Sequence, residues 1–236
     1  MTDATCQVLY EDNHLLVLAK PPGLAVIEGT RTHHSVYRWA QEYLRHKYGK
    51  RGGVYVGVVH RLDKPVSGVL LLARTSKAAR RLSEQFRTAA VEKIYWAIVE
   101  GIFPATQGTL RDWLKKDARL GRVCVVAEET PGSRLAVVHY LRRGCGRGLT
   151  WLELRPQTGR THQLRAQLAH RGHPIYGDTR YGSRHRFNEA IALHAHRLTI
   201  QHPVRREPLT FVADPPAPWA CFTALGLPVR PQPRSE

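Results

Sequence analysis

The chain has 236 residues, of which 42% are hydrophobic and 23% are charged, so a sizeable core is expected and a largely disordered chain is excluded. Lys and Arg together number 36 against 19 Asp and Glu, and the formal net charge of +17 favours a polyanionic partner such as nucleic acid. The sequence has neither an apolar run near the roughly 18 residues of a membrane span nor a secretory signal at Met1, so we expect a cytoplasmic protein that does not bind membranes.

In the first hundred residues, short apolar runs alternate with stretches of helical periodicity. The predicted elements are, in order, two strands within residues 7–20, a helix that Ser35 caps and that stops near Gly49, strands at 56–59 and 69–73, a helix capped by Ser76, and a strand at 94–99. The polar segment 60–68, which contains Pro and Gly, is therefore expected to be a loop between two buried strands.

Beyond Gly101 short strands dominate the pattern. The predicted elements are strands at 123–127, 135–141 and 150–154, a helix at 161–170, and strands at 198–200 and 209–212. This order is closer to an antiparallel meander than to repeated βαβ units, so the predicted class is α+β. We expect a single domain over residues 1–227, followed by a flexible Pro- and Arg-rich tail at 228–236.

Metal or redox chemistry has little support in the sequence. The cysteines form no C-x-x-C pair and are far apart, at Cys6, Cys124, Cys145 and Cys221. Among the histidines, the closest groupings are His170 with His173 and His194 with His196, and neither is joined by Cys or carboxylates at ligand spacing. We therefore expect reduced thiols and no bound metal.

Two polar segments, 60–68 and 157–165, concentrate the residue types that carry out chemistry. Each is flanked by strongly structured apolar runs. A rigid scaffold that presents polar loops is the usual location of catalytic groups, so both segments are candidate sites.

The first segment, His-Arg-Leu-Asp-Lys-Pro-Val-Ser-Gly, closely resembles the H-R-L-D-x-x-[TS]-S-G motif of RluA-type pseudouridine synthases. Leu-Ala-Lys-Pro-Pro-Gly at 18–23 is similar to the opening motif of that family, Lys93-x-Tyr95 to its tyrosine motif, and 154–181 to its T-G-R-T-H-Q-[IL]-R and G-H-P-I-x-G-D-x-x-Y-G stretch. One departure is Val66, where the family commonly has Thr, and this loop therefore lacks one hydroxyl. The accessory N-terminal RNA-binding domain of many relatives has no room before the opening motif, so we expect the catalytic domain or a partner to select the RNA.

The resemblance implies a pseudouridine synthase catalytic domain with a mixed, mostly antiparallel sheet, flanking helices and a central basic cleft. It implies isomerisation of specific uridines in structured rRNA or tRNA, without metal or organic cofactor. Asp63 is implied as the catalytic carboxylate, either a nucleophile or a base; outside the motif, an Asp before Lys-Pro is an ordinary turn-capping residue. A carboxylate in a water-poor pocket needs a nearby cation to stay ionised, and the resemblance implies Arg165 for this role. The alternative for Arg165 is a solvated helix arginine or a phosphate contact.

Further roles in binding the RNA follow from the same resemblance. Tyr95 corresponds to the family tyrosine that stacks on the flipped uracil, whereas a strand tyrosine is otherwise most often part of a core. A base inside a stacked helix must be extruded at a cost of about a few kcal/mol, and Arg61 resembles the arginine that enters the vacated stack. Arg160 and His162 are candidates for lining the RNA path, and a structural role at the helix start is their alternative.

Two other functional classes are weighed against the isomerase. A catalytically silent RNA-binding or assembly factor would keep the fold and the charge, but Asp63, Tyr95 and Arg165 are all unaltered. A metal-dependent nuclease would require clustered carboxylates or His and Cys ligands, which the sequence does not offer. We expect a monomer; the particular RNA and uridine do not follow from the sequence.

Overall fold

The computed structural model describes residues 6–28 and 34–228, and the chain folds into two compact units. The first unit contains the described residues up to Lys93 together with Ala195–Ala213. The second contains Ile94–His194 together with the described residues from Asp214 onward. The tail predicted at 228–236 lies outside the described residues, except for Pro228.

Most predicted elements are present, and most of the strands predicted in the second half of the chain are longer than expected. The strands are β1 (Gln7–Glu11), β2 (Leu15–Lys20), β3 (Gly57–Val58), β4 (Ser67–Ala73), β5 (Glu92–Glu100), β6 (Gln107–Asp117), β7 (Arg122–Val126), β8 (Arg134–Gly146), β9 (Leu149–Pro156), β10 (Leu193–Gln201) and β11 (Pro208–Val212). The helices are α1 (Val36–Lys47), α2 (Ser76–Arg87) and α3 (Gln163–His170), with two 3₁₀ segments at Thr179–Tyr181 and Ala217–Leu225.

In the first unit, β2 is the strand that positions the opening motif. It pairs antiparallel with β1 and with β4, in a register that sets Lys20 opposite Gly68. Every residue of β4 is buried, and the aliphatic run is continuous because both faces of the strand are covered. Leu15 and Leu71 belong to a cluster that also includes Leu82 of α2. The end of this ladder therefore fixes where segment 60–68 enters the sheet.

Gly68 requires the absence of a side chain. Its φ is +117°, and a Cβ at this position would lie 2.3 Å from the carbonyl oxygen of Ala195. The backbone of β10 therefore approaches β4 so closely here that only glycine fits. This is the physical reason for a glycine at the end of the motif.

The two helix caps predicted in the first unit have different outcomes. Ser35 caps α1 as predicted, and its hydroxyl accepts a hydrogen bond from the Arg38 N–H at 3.2 Å. The cap predicted at Ser76 is wrong: Thr75 is extended, and its hydroxyl accepts from the Ala78 N–H at 3.2 Å. Ser76 is already the first helical residue, so its hydroxyl is one position too late to cap.

The second unit is an antiparallel meander with the strand order β5-β9-β8-β6-β7. With the three α-helices of the described residues, this confirms the α+β class. β6 was not predicted, because it lacks an aliphatic run: Leu110 and Leu114 point inward and exposed Arg111 and Lys115 alternate with them. α3 begins later than predicted, because His162 adopts a left-handed conformation with φ of 51°.

Candidate active site

Asp63 lies in the turn that leads into β4. The Val66 N–H donates to the Asp63 carbonyl oxygen at 3.0 Å, and the side chains of Leu62 and Val66 are buried on either side. These apolar anchors leave Asp63 half-buried and Arg61 exposed. Val66, the departure from the family motif, is 2% exposed, so packing holds the loop at this position. The turn presents one carboxylate and one guanidinium from a fixed backbone.

The buried side chain of Lys20 connects this turn to the opening motif. Its Nζ donates to the carbonyl oxygens of Pro21 and Leu24, both at 2.8 Å, and to that of Lys64 at 3.2 Å. Burial lowers the pKa of Lys20 to about 7, and the charge of Asp63 acts in the opposite direction. Because Lys64 directly follows Asp63, the ammonium group restrains the backbone that carries the carboxylate. Sequence reasoning assigned no role to Lys20, although it lies within the recognised opening motif.

His60 is the first residue of segment 60–68, and its contacts with the sheet and with α2 give it a structural role. Its Nε2 accepts a hydrogen bond from the Leu71 N–H at 2.9 Å, and its ring stacks on Phe86 with centroids 4.6 Å apart. Burial, aided by the charge of Lys93, lowers the pKa of His60 to about 3. The imidazole is therefore neutral at pH 7, and its Nε2 supports the middle of β4.

In the second unit, Arg165 is held by a carboxylate that sequence reasoning missed. Arg165 is 4% exposed, and its Nε and Nη2 donate to Oδ2 and Oδ1 of Asp178 at 2.7 and 2.9 Å. Its guanidinium carbon also lies 4.9 Å from the ring centroid of Tyr181. A bidentate ion pair and a ring contact fix the plane of the guanidinium. This burial excludes the solvated helix arginine considered above.

Tyr181 also contacts His162. Its hydroxyl accepts from the Val123 N–H at 3.0 Å and lies 2.9 Å from His162 Nδ1. His162 is half-buried and immediately precedes α3. These contacts support the structural alternative for His162, and its role in lining the RNA path stays a prediction. Both Asp178 and Tyr181 lie in the recognised G-D-x-x-Y-G stretch, which was the available signal for them.

Arg160 lies in the turn before α3, which the buried Gln163 organises. The Oε1 atom of Gln163 accepts from the Thr158 hydroxyl at 2.7 Å and from the Arg160 N–H at 3.0 Å. The Arg160 side chain is exposed, and its Nε donates to the Leu135 carbonyl oxygen at 3.0 Å. One edge of the guanidinium is thus anchored to β8.

Tyr95 lies on β5, opposite Leu154 of β9. Its strand neighbours Ile94 and Trp96 are buried, whereas Tyr95 is half-buried. Adjacent side chains on a strand point to opposite faces, so Tyr95 differs from its neighbours in having a partly open face. Its proposed contact with uracil stays a prediction.

The described part of the chain shows neither a cluster of metal-binding side chains nor a membrane-spanning helix. Within residues 6–28 and 34–228, no three His, Cys, Asp or Glu side chains are grouped so that they could hold a metal ion. The helices in the same ranges are too short or too polar to cross a bilayer.

Known families that match this sequence agree with the family indicated by the motifs of the two loops. A family model described as RNA pseudouridylate synthase matches residues 14–170, which include both segment 60–68 and segment 157–165 and the whole of α3. The chain therefore belongs to the RNA pseudouridylate synthase family, and the family inferred from the motifs is confirmed.

Individual relatives are similar along most of this chain. An uncharacterized RNA pseudouridine synthase of Synechocystis is 35% identical over 89% of the chain and 65% of its own length. A tRNA pseudouridine synthase C of Pectobacterium carotovorum is 36% identical over 90% of the chain and 60% of its own length. A ribosomal large subunit pseudouridine synthase D of Xylella fastidiosa is 37% identical over 91% of the chain and 67% of its own length. The chain thus spans about two thirds or less of the length of these relatives.

A solved structure has the same fold. Human RNA Pseudouridylate Synthase Domain Containing 4 superposes with a TM-score of 0.76 at 25% sequence identity, covering 92% of this chain and 91% of that one. The α+β scaffold described above is therefore that of a pseudouridylate synthase domain.

Proposed function

We propose that this protein isomerises specific uridines of RNA to pseudouridine and that Asp63 is its catalytic carboxylate. The observation that carries the proposal is the intact H-R-L-D loop: Asp63 is half-buried in a turn whose backbone is restrained by Lys20 and by the Val66 N–H. A restrained carboxylate suits a reaction in which one group must stay in place while a base turns beside it.

The reaction is balanced without redox change or an external group. The bond from N1 of uracil to C1′ of ribose breaks, the base turns, and C5 forms the new bond to C1′. The hydrogen of C5 leaves as a proton, and N1 gains one. Asp63 acts either as a nucleophile on the ribose or uracil or as a base that removes a ribose proton.

Arg165 and Tyr95 are the other two catalytic groups of the proposal. Arg165 is assigned to keep the catalytic carboxylate ionised, because an isolated carboxylate in a water-poor site would otherwise become protonated. Its burial and its fixed plane support this assignment. Tyr95 is assigned to stack on the extruded uracil and to place a hydroxyl near C5, and its half-buried position on β5 is compatible with that role.

RNA is the proposed substrate class, ribosomal or transfer, and the reaction takes place in the cytoplasm on a monomeric enzyme without metal or organic cofactor. The net charge of +17 supports binding to a polyanion. The exposed Arg61, two residues before Asp63, is assigned to the gap left by the extruded base, because a guanidinium plane both stacks and binds phosphate.

Release of tritium from C5 of uridine tests the reaction directly. RNA labelled with 5-tritiated uridine is isolated from cells that lack the gene, so that every natural substrate is unmodified. The wild-type protein should release tritium from this RNA, and the Asp63→Asn variant should release none while binding the RNA with a similar Kd. Pseudouridine mapping in the same cells then identifies the modified positions.

Tritium release by Asp63→Asn at the wild-type rate would overturn the assignment of the carboxylate. An absence of release by the wild-type protein, with RNA binding retained, would instead favour the silent RNA-binding or assembly factor.

A further inference from the structure

A cationic pocket lies in the second unit, within the meander and next to the turn that carries Arg160. It has a volume of about 260 Å³. Its apolar lining includes Leu114 and Val123, and its cationic lining comes from Lys116, Arg134 and Arg160. The pocket therefore combines an apolar floor with three positively charged side chains.

The strand register explains why these side chains converge. Leu114 and Lys116 are two residues apart on β6 and so share one face. Arg134 of β8 is paired directly with Leu114, and Val123 of β7 is paired directly with Lys116. Leu114 and Val123 also belong to the buried cluster under α3, so the floor is an edge of the core.

The third cation is brought to the pocket by the turn before α3. Arg160 Nε donates to the carbonyl oxygen of Leu135, the residue next to Arg134 on β8. The guanidinium is thereby held against the end of β8. Its position depends on backbone contacts, so the pocket is preformed on this side.

The three cations of the pocket form no ion pairs with acids among residues 6–28 and 34–228. Some other arginines of the second unit are paired with acids, namely Arg143 and Arg155 with Glu153 and Arg171 with Asp112. By contrast, no carboxylate in the described part of the chain forms an ion pair with Lys116, Arg134 or Arg160. Three exposed cations that share one pocket repel one another, so an anion in the pocket would be stabilised.

We propose that this pocket binds one nucleotide of the substrate RNA other than the uridine that is isomerised. Lys116, Arg134 and Arg160 bind its phosphate, and the ribose and base lie against Leu114 and Val123. The volume is slightly below the range of about 300–1,000 Å³ that small-molecule sites occupy, which suits a single unstacked nucleotide better than a duplex. The inference rests on the proposed function for the identity of the polyanion.

The chain offers a closely matched control for the test. Lys115 and Lys116 are neighbours on β6 and both are exposed, but they point to opposite faces of the strand. Lys115→Glu and Lys116→Glu therefore change the net charge equally, and only the second places a negative group in the pocket. Urea unfolding midpoints of both variants show whether each is folded.

The experiment measures the Kd of each full-length variant for a fluorescent 15-nucleotide oligouridylate and for bulk tRNA, at several salt concentrations. Lys116→Glu should weaken binding to both RNAs about tenfold more than Lys115→Glu does. It should also lower the slope of log Kd against log salt concentration by about one, the value expected for the loss of one phosphate contact. Arg134→Glu should behave like Lys116→Glu. A 4-thiouridine in the oligonucleotide should crosslink to peptides from β6 or β8 after irradiation.

Equal Kd values for Lys115→Glu and Lys116→Glu would overturn the pocket, and so would a wild-type protein that binds neither RNA. The proposal would also be overturned if Lys116→Glu lost as much affinity for polyglutamate as for RNA, because the pocket would then be a general anion site. Tritium release from C5 keeps the two proposals apart. Normal release with equal Kd values contradicts only the pocket, whereas no release with a pocket-dependent Kd contradicts only the isomerase.

Discussion

The ion pair between Arg165 and Asp178 gives the sharpest test of how the second unit supports the proposed chemistry. Substituting Asp178→Asn keeps the shape of the side chain and removes its charge. The guanidinium then loses one of its two strong acceptors, at 2.7 and 2.9 Å, and remains buried without a full counter-charge from this residue. Asp178 would act as a positioning residue, because its contact in the second unit is with Arg165.

The expected loss of stability in Asp178→Asn follows from the burial of the Arg165–Asp178 pair. The two side chains are 5% and 2% exposed, and removing one partner of such a buried pair costs about 3–5 kcal/mol. Asn retains one oxygen that can accept from Arg165, so we expect a loss near the lower end, about 3 kcal/mol of the free energy of unfolding.

Asp112→Asn is the matched control. Asp112 forms a second bidentate pair in the same unit, with Arg171 at 2.9 and 3.0 Å, but the Arg171 side chain is 30% exposed. Water reaches Arg171, although Asp112 itself is 8% exposed and also accepts from Gln167, so we expect a smaller loss than in Asp178→Asn, about 1–2 kcal/mol.

The assay combines urea unfolding with single-turnover tritium release, at a temperature well below the unfolding midpoint of the weaker variant. Asp178→Asn should lower the rate constant at least about tenfold with the Kd for RNA within about twofold, whereas Asp112→Asn should be close to wild type in both. Wild-type turnover in folded Asp178→Asn, or an equal loss in both variants, would refute the positioning argument.

Three further predictions concern Lys20, Tyr95 and His60. Lys20→Met removes the donor to three carbonyl oxygens, so the free energy of unfolding should fall by about 3 kcal/mol and tritium release should slow. An unchanged urea midpoint would contradict the restraint that Lys20 places on the Asp63 turn. Tyr95→Phe keeps the ring and removes the hydroxyl, so tritium release should fall about 100-fold with RNA binding retained, and a parallel loss of binding would argue against proton transfer. The unfolded histidine has a pKa near 6.5 and folded His60 one of about 3, so only the unfolded state gains a proton as pH falls through this window. The free energy of unfolding should therefore decrease from pH 6.5 toward 3, and His60→Gln should weaken that dependence; the same pH profile in both proteins would refute it.

Several features of the fold could be predicted because they depend on local chemistry. Ser35 caps α1 because its hydroxyl reaches an amide three residues later, and residues 69–73 form a buried strand because both of their faces are apolar. Segment 60–68 was predicted as a loop, and its last two residues begin β4. The cap of α2 was missed by one residue, since Thr75 and Ser76 have equivalent chemistry and only the backbone conformation separates them.

The candidate site was predictable where a motif names residue types, and less so where partners are distant in sequence. Asp63, Tyr95 and Arg165 were proposed as catalytic residues from the resemblance. The partner of Arg165 was not, because Asp178 is 13 residues away and the turn after α3 decides the contact. The cationic pocket was likewise invisible, since Lys116, Arg134 and Arg160 converge only through the register of β6, β7 and β8.

By itself, the sequence determined the α+β class and the family and favoured a polyanionic partner, because composition, periodicity and contiguous motifs are local properties of the chain. Only the tertiary structure decided which groups are paired and which remain charged toward solvent. Lys20 is buried and donates to three carbonyl oxygens, and Arg165 is buried and paired with a carboxylate, whereas Lys116 and Arg134 form no ion pair among the residues described. The reason is that the free energy of a charge depends on the groups within a few ångströms of it, and folding, not sequence order, selects those groups.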